Sequence, residues 1–174
     1  KHCAEIIRNL LAVKDSINMV FAAAPSQSEM LDALTKEKGI DWGRIRAFHM
    51  DEYIGLDREA PQNFGNFLYR ELFSKVKFGE VYYINDEGGS AEQLCSRYAD
   101  LLEKYPADII CLGIGENGHI AFNDPHEADF KDKRMVKIVS LDEKCRRQQV
   151  NDGCFKSIDE VPKFAITITL PYFL

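Results

Sequence analysis

The chain has 174 residues, enough for one domain with a sizeable core and too few for two comfortable ones. Hydrophobic residues make up 45% and charged residues 29%, which excludes a disordered chain. The formal net charge of −6 argues against a nucleic-acid backbone as the main partner, because such a surface needs clustered cations.

In chain order, "AEIIRNLLAV" (4–13) places apolar residues at helical spacing, and "INMVFAAA" (17–24) is a continuous apolar run expected of a buried strand. "SEMLDALTKEKG" (28–39) reads as a helix closed by Gly39, "RIRAFHM" (44–50) as a strand, and "NFGNFLYRELFSKV" (63–76) returns to helical period. A short strand is predicted at "GEVYYIN" (80–85), an amphipathic helix at 90–105 and a buried strand at "ADIICLGIG" (107–115). Two further strands, "RMVKIVSLD" (134–142) and "FAITITL" (164–170), flank the helical "EKCRRQQV" (143–150). Strands alternating with helices predict an α/β fold: an open, mainly parallel, doubly wound (Rossmann-like) sheet with helices on both faces. The expected organisation is a single domain over 1–174, cut from a longer protein. Lys1 already sits in a helical pattern, and "FAITITLPYFL" runs toward another element.

The five cysteines are odd in number and form no CxxC pair, so they read as free thiols of a reducing cytoplasm. No apolar run approaches the roughly 18 residues of a membrane span, and no signal peptide opens the chain, so a membrane is not an expected partner. A homo-oligomer is left open.

Ligands of open α/β sheets bind beyond the carboxyl ends of the strands, so the loops there carry the candidates. In "AAAPSQSE" (22–29), Ser26 and Glu29 have the spacing of a capping box. The same helix start, with Ser26, Gln27 and Ser28, is a candidate phosphate site. In "FHMDEYIGL" (48–56) at most one of the adjacent acids Asp51 and Glu52 enters a cleft. Asp51 is the candidate base with a raised pKa, set against a turn-capping acid, and Glu52 is expected in solvent or beside a cation.

In "LGIGENGHIAFNDP" (112–125), Gly113, Gly115 and Gly118 fit G-x-G-x-x-G. The residues after them make a poor helix containing Asn123 and Pro125, and the motif lies late in the chain, which rejects a dinucleotide loop. Gly115 and Gly118 instead let a ligand approach the backbone. His119 with Asp124 is a candidate proton-transfer pair, set against a hydrogen-bonded structural histidine. A metal site from His119, Asp124, His126 and Glu127 is disfavoured, since no helix presents them at ligand spacing. Lys137, Arg146 and Arg147 are candidate phosphate cations, set against a solvated helix face.

Together, "FHMDEYIGL…PQNFGNFL", "GIGENGHIAFNDP" and "VPKFAITITL" resemble the glucosamine-6-phosphate deaminase/isomerase family. The related 6-phosphogluconolactonases usually read Asp-Glu-Arg in the acidic loop and lack the "AFN-acid-Pro" segment. The resemblance implies that Asp51 is the base shuttling a proton between C2 and C1 of the open-chain sugar. His119 would open the pyranose ring, Asp124 would be its acidic partner and 24–28 the phosphate loop.

The implied substrate is an amino-sugar 6-phosphate, and no metal or organic cofactor is required. Departures from the family pattern are Asn117 where an Asp is usual, Asp124 where Glu is usual, and a phosphate loop without glycine. The family's phosphate arginine before "VPK" has no counterpart in "VNDGCFKSIDE", which leaves Arg146, Arg147 or Lys137 for that task. The alternatives are a sugar-phosphate sensor without catalysis and a 6-phosphogluconolactonase-like hydrolase.

Overall fold

The computed structural model describes residues 1–86 and 88–174. The first helix, α1 (His2–Val13), leads into strand β1 (Ile17–Phe21), followed by α2 (Ser28–Thr35) and β2 (Ile45–His49). Only Met50 separates β2 from the short strand β3 (Asp51–Tyr53). Then come α3 (Phe64–Leu68), continued by a wider π-type turn at Tyr69–Phe73, β4 (Glu80–Tyr82), α4 (Ala91–Lys104) and β5 (Ile109–Cys111). The chain finishes with β6 (Val136–Ser140), α5 (Glu143–Asn151) and β7 (Phe164–Ile168).

Four strands form a parallel sheet in the order β4-β2-β1-β5, with Phe21 beside both His49 and Cys111. Side chains on β1 and β2 alternate between two cores. Ile17, Met19, Ile45 and Ala47 join α1, α2 and α3 on one face, while Val20 and Phe48 join Tyr98 and Leu102 of α4 on the other. Each such fully buried apolar side chain contributes about 1.5–3 kcal/mol. The doubly wound α/β arrangement therefore results from strands that are apolar on both sides.

The strands at 136–140 and 164–168 do not extend this sheet. They form a separate antiparallel sheet in the order β3-β7-β6, pairing Asp51 with Thr167 and Val136 with Ile168. The apolar pattern marks a strand but carries no information about its partner. Met50 links the two sheets, because its carbonyl accepts the Ile168 N–H at 2.9 Å. The chain thus steps from β2 into β3 without a loop, and Asp51 and Glu52 lie on a strand, not in a loop as expected.

Two helix starts also differ from the sequence reading. Ser26 and Glu29 make no capping box; Pro25 begins a 3-10 turn at 25–27, so Ser26 lies inside that turn and α2 has no side-chain cap. The box forms instead at α4, where Ser90 accepts from Gln93 N–H and the Gln93 side chain returns to the Ser90 N–H.

Candidate active site

A cleft of about 570 Å³, counted with its open mouth, lies beyond the carboxyl ends of β1, β2 and β5. Ala22, Ala23, Ala24, Ser26 and Gln27 form one wall, Met50 and Asp51 a second, and Gly113, Ile114, Gly115 and His119 a third. Gln148, Gln149 and Asp152 close it from α5 and its end, with Phe64, Ala121 and Phe122 supplying apolar surface.

Asp51 is 6% exposed, and among the described residues none hydrogen-bonds its carboxylate. Burial, followed by the neighbouring Glu52 charge, pushes its carboxyl well above the usual carboxylate range. Its backbone is firmly held. The buried His49 ring joins the Asp51 carbonyl through Nδ1 at 2.8 Å and takes the Ile84 N–H on Nε2 at 3.0 Å. The second bond makes Nε2 an acceptor, so Nδ1 carries the proton. Burial lowers the His49 pKa to about 4, outweighing that backbone bond, so the ring is neutral near pH 7. The Tyr98 hydroxyl accepts the His49 N–H at 2.9 Å and donates to the His49 carbonyl at 2.7 Å.

His119 sits in a second network. Its Nδ1 lies 2.6 Å from Asn117 Oδ1 and 3.3 Å from Asp124 Oδ1. Asn117 can be oriented in only one way: its Nδ2 donates to Asp124 Oδ1 at 3.0 Å and Asp142 Oδ2 at 3.1 Å. Oδ1 must therefore face His119, where it also takes the His119 backbone N–H at 3.1 Å. An acceptor pair at Nδ1 fixes the Nδ1–H tautomer of the neutral ring, in which Nε2 is the acceptor and, among the described residues, has no hydrogen-bond partner.

Asp124 is fully buried, which pushes its pKa up. Bonds from His119, Asn117 and the Asp142 N–H outweigh this and hold it below the ordinary value. Gly115 is required by the ring itself. A Cβ there would lie 2.1 Å from His119 Cε1 and 2.2 Å from Nε2. Gly118 takes φ +88, the left-handed region, in the turn that brings His119 back.

The other candidate residues are placed differently. Glu52 is 1% exposed, neither solvated nor beside a cation as expected. Its carboxylate accepts the N–H groups of Tyr53, Phe64 and Gly65 and so caps the start of α3. Burial raises its pKa to about 7 against the pull of those three bonds.

Lys137 lies on β6, buried against the Glu127 carbonyl and 3.2 Å from Asp132, away from the cleft. Arg146 donates to the carbonyls of Ile158 and Val161, and Arg147 pairs with Glu143. These cations tie down chain segments, a use that sequence cannot separate from ligand binding. Ser28 and Gly118 lie beside the cleft lining, not in it. Sequence reasoning missed Gln148, Gln149 and Asp152. Their signal was helical period: 145, 148 and 149 share one face of α5, and 152, the residue just past its end, continues that spacing. Gln149 is anchored by the Tyr53 hydroxyl at 2.9 Å.

Comparisons with known proteins identify the family and the fold. The family model described as glucosamine-6-phosphate isomerases/6-phosphogluconolactonase matches residues 1–151. A glucosamine-6-phosphate deaminase of Exiguobacterium is 36% identical over 136 residues, 78% of this chain and 51% of that protein. One from Listeria welshimeri is 32% identical over 168 residues, 97% of this chain and 69% of that protein. The chain thus spans about half the length of the first and about two thirds of the second.

Among solved structures, a monomeric glucosamine-6-phosphate deaminase superposes with a TM-score of 0.84 at 27% identity, covering 98% of this chain and 71% of its own. A 6-phosphogluconolactonase from Thermotoga maritima, at 0.74 and 23% identity over 97% and 70%, shares the fold. The match over residues 1–151 and the relative aligned over 97% of this chain place it in the glucosamine-6-phosphate isomerase/6-phosphogluconolactonase family.

Proposed function

We propose that the protein deaminates and isomerises an amino-sugar 6-phosphate, taking up water and releasing a ketose 6-phosphate and ammonia. One observation carries the reading: an unpaired buried carboxylate, Asp51, and an imidazole with a free Nε2, His119, face the same cleft from different strand ends. The named activity of relatives that cover nearly all of this chain supports it.

In this reading, His119 Nε2 accepts the anomeric hydroxyl proton and returns one to the ring oxygen, opening the pyranose. Asn117 and Asp124 hold the Nδ1–H while Nε2 alternates between base and acid. Asp51 then takes the C2 proton and delivers it to C1 through an enol-type intermediate. The raised Asp51 pKa suits this role, since a carboxylate that holds a proton more tightly is a stronger base. Hydrolysis of the resulting C2 imine frees ammonia.

Among the described residues no lysine or arginine lines the cleft. We assign the phosphate to the turn at 25–27 that leads into α2, where Ser26 and Gln27 line the space. Asp51, His119, Asn117 and Asp124 are the proposed catalytic group, and Ser26, Gln27 and Gly115 the proposed binding residues.

The test is to incubate the protein with glucosamine 6-phosphate and galactosamine 6-phosphate and to measure ammonia and ketose phosphate. Release from at least one is expected, with Asp51→Asn losing about 10²–10⁴ in rate while retaining binding. Tight binding without ammonia would convert the reading to a sensor, and hydrolysis of a phosphogluconolactone alone to a lactonase.

A further inference from the structure

Cys145, in the first turn of α5, is buried and has no part in the proton relay. Its backbone N–H is taken by the helix-capping Asp142, and this fixes where its side chain starts. The Cys145 thiol, the His119 imidazole and the Asp124 carboxylate each offer one atom, and these atoms lie within 4.8 Å of one another. All three residues are largely withdrawn from solvent, unlike a chance cluster of surface acids.

Metal bonds of about 2.0–2.2 Å at tetrahedral angles separate nitrogen and oxygen ligands by roughly 3.3–3.5 Å. His119 Nδ1 and Asp124 Oδ1 are 3.3 Å apart. The carboxylate is also held by two hydrogen bonds, from the Asp142 N–H to Oδ2 at 2.9 Å and from the Asn117 amide to the ligand oxygen Oδ1 itself at 3.0 Å. Thiolate, imidazole and carboxylate form a borderline-soft set that selects Zn²⁺ over Mg²⁺ or Ca²⁺. Three protein ligands leave the fourth position of a tetrahedral ion to water.

We propose that His119 Nδ1, Asp124 and Cys145 bind Zn²⁺, and that the ion removes His119 from proton transfer; the second part rests on the function proposed above. The thiol proton of Cys145 leaves to solvent as sulfur binds the metal. The Nδ1 proton moves to Nε2, so the ring stays neutral while Nδ1 becomes a ligand. Asn117 Oδ1 gives up its bond to Nδ1. The ring edge that accepted a proton at the cleft now carries one, and His119 can no longer act as a base there.

Co²⁺ added to the metal-free full chain tests the site without reference to activity. The expected result is a near-ultraviolet thiolate-to-cobalt charge-transfer band with the visible bands of a tetrahedral ion, both erased by Zn²⁺. Cys145→Ser loses the charge-transfer band and weakens Zn²⁺ binding about tenfold or more in competition with a chromophoric chelator. Cys95→Ser, a half-buried thiol on α4, leaves both unchanged. A band that survives Cys145→Ser, or the absence of stoichiometric binding, overturns the site.

Should Cys145→Ser fail to fold by circular dichroism, X-ray absorption of the zinc-loaded wild type decides. One sulfur neighbour among nitrogen and oxygen supports the site, and a sulfur-free shell overturns it. In turnover, Zn²⁺ inhibits the wild type, a chelator restores it, and Cys145→Ser resists. Cobalt binding without zinc inhibition overturns the switch while the site stands. An absence of turnover in metal-free protein counts against the proposed function and leaves the cobalt result to decide the site.

Discussion

Asp51 is a carboxylate that the fold holds against its own chemistry: burial and the adjacent Glu52 both oppose its ionisation. A raised folded pKa means that the native state binds a proton more tightly than the unfolded chain. Its stabilising effect is complete below the unfolded value near 3.8 and is lost as pH rises through the folded value. Asp51→Asn is therefore expected to raise the urea midpoint more at pH 8 than at pH 4.5, while lowering the rate by about 10²–10⁴. An equal shift at both pH values would show that burial does not control this group. Gly115 is the complementary case, where the smallest side chain is needed. Gly115→Ala drives a methyl into the His119 ring and is expected to lower kcat by about 10²-fold, with little change in melting temperature. Kinetics and a thermal melt on the same sample check it. The need for glycine at 115 was legible as a close approach, but sequence gave no sign that the approaching group is His119 itself.

At the scale of elements, the two Ser-x-x-acid/amide patterns had opposite fates. Both Ser26/Glu29 and Ser90/Gln93 carry box spacing, yet only the second closes. Pro25 starts a turn ahead of Ser26 and displaces it from the capping position, whereas Ser90 comes after glycines that impose no helical start. Ser90→Ala is expected to destabilise by about 1 kcal/mol in urea denaturation. Ser26→Ala should leave stability within about 0.5 kcal/mol of wild type and raise KM for a phosphorylated sugar. A loss of stability at Ser26 instead would return that residue to a capping role. Glu52 belongs to this scale as well. Read locally, it is one more surface acid beside Asp51; in the fold it satisfies three N–H groups, two of them at a helix start twelve residues downstream. That distance along the chain is why local pattern did not reveal it.

Across the whole molecule, the critical junction is the single-residue step from the parallel sheet into the antiparallel one. Asp51 is aimed there, and four elements meet to fix it: β2, β3, the end of β4 through Ile84, and α4 through Tyr98. Tyr98→Phe keeps the ring but leaves the buried His49 N–H without its partner, a loss of about 1–3 kcal/mol. Because Asp51 shifts with His49, kcat should fall while KM holds. Restoration of neither stability nor kcat is expected from added phosphate or sugar, since the defect lies behind the site. A stability loss with unchanged kcat would detach Tyr98 from the positioning of Asp51.

Residue pattern alone determined everything governed by short-range period and composition. The strands were apolar on both faces and hence covered by helices, the helices were amphipathic, and the segments holding Asp51 and His119 came after strand ends. Those features depend on neighbours within a few residues, where side-chain direction is set by the backbone. Tertiary structure decided the rest: the pairing of 136–140 with 164–168 in a separate sheet, the use of Lys137 and Arg146 in structural bonds, and the wall contributed by α5. These are choices among partners distant in sequence. They are settled by which polar groups can be satisfied once the apolar faces have closed, a competition that no local stretch of chain records.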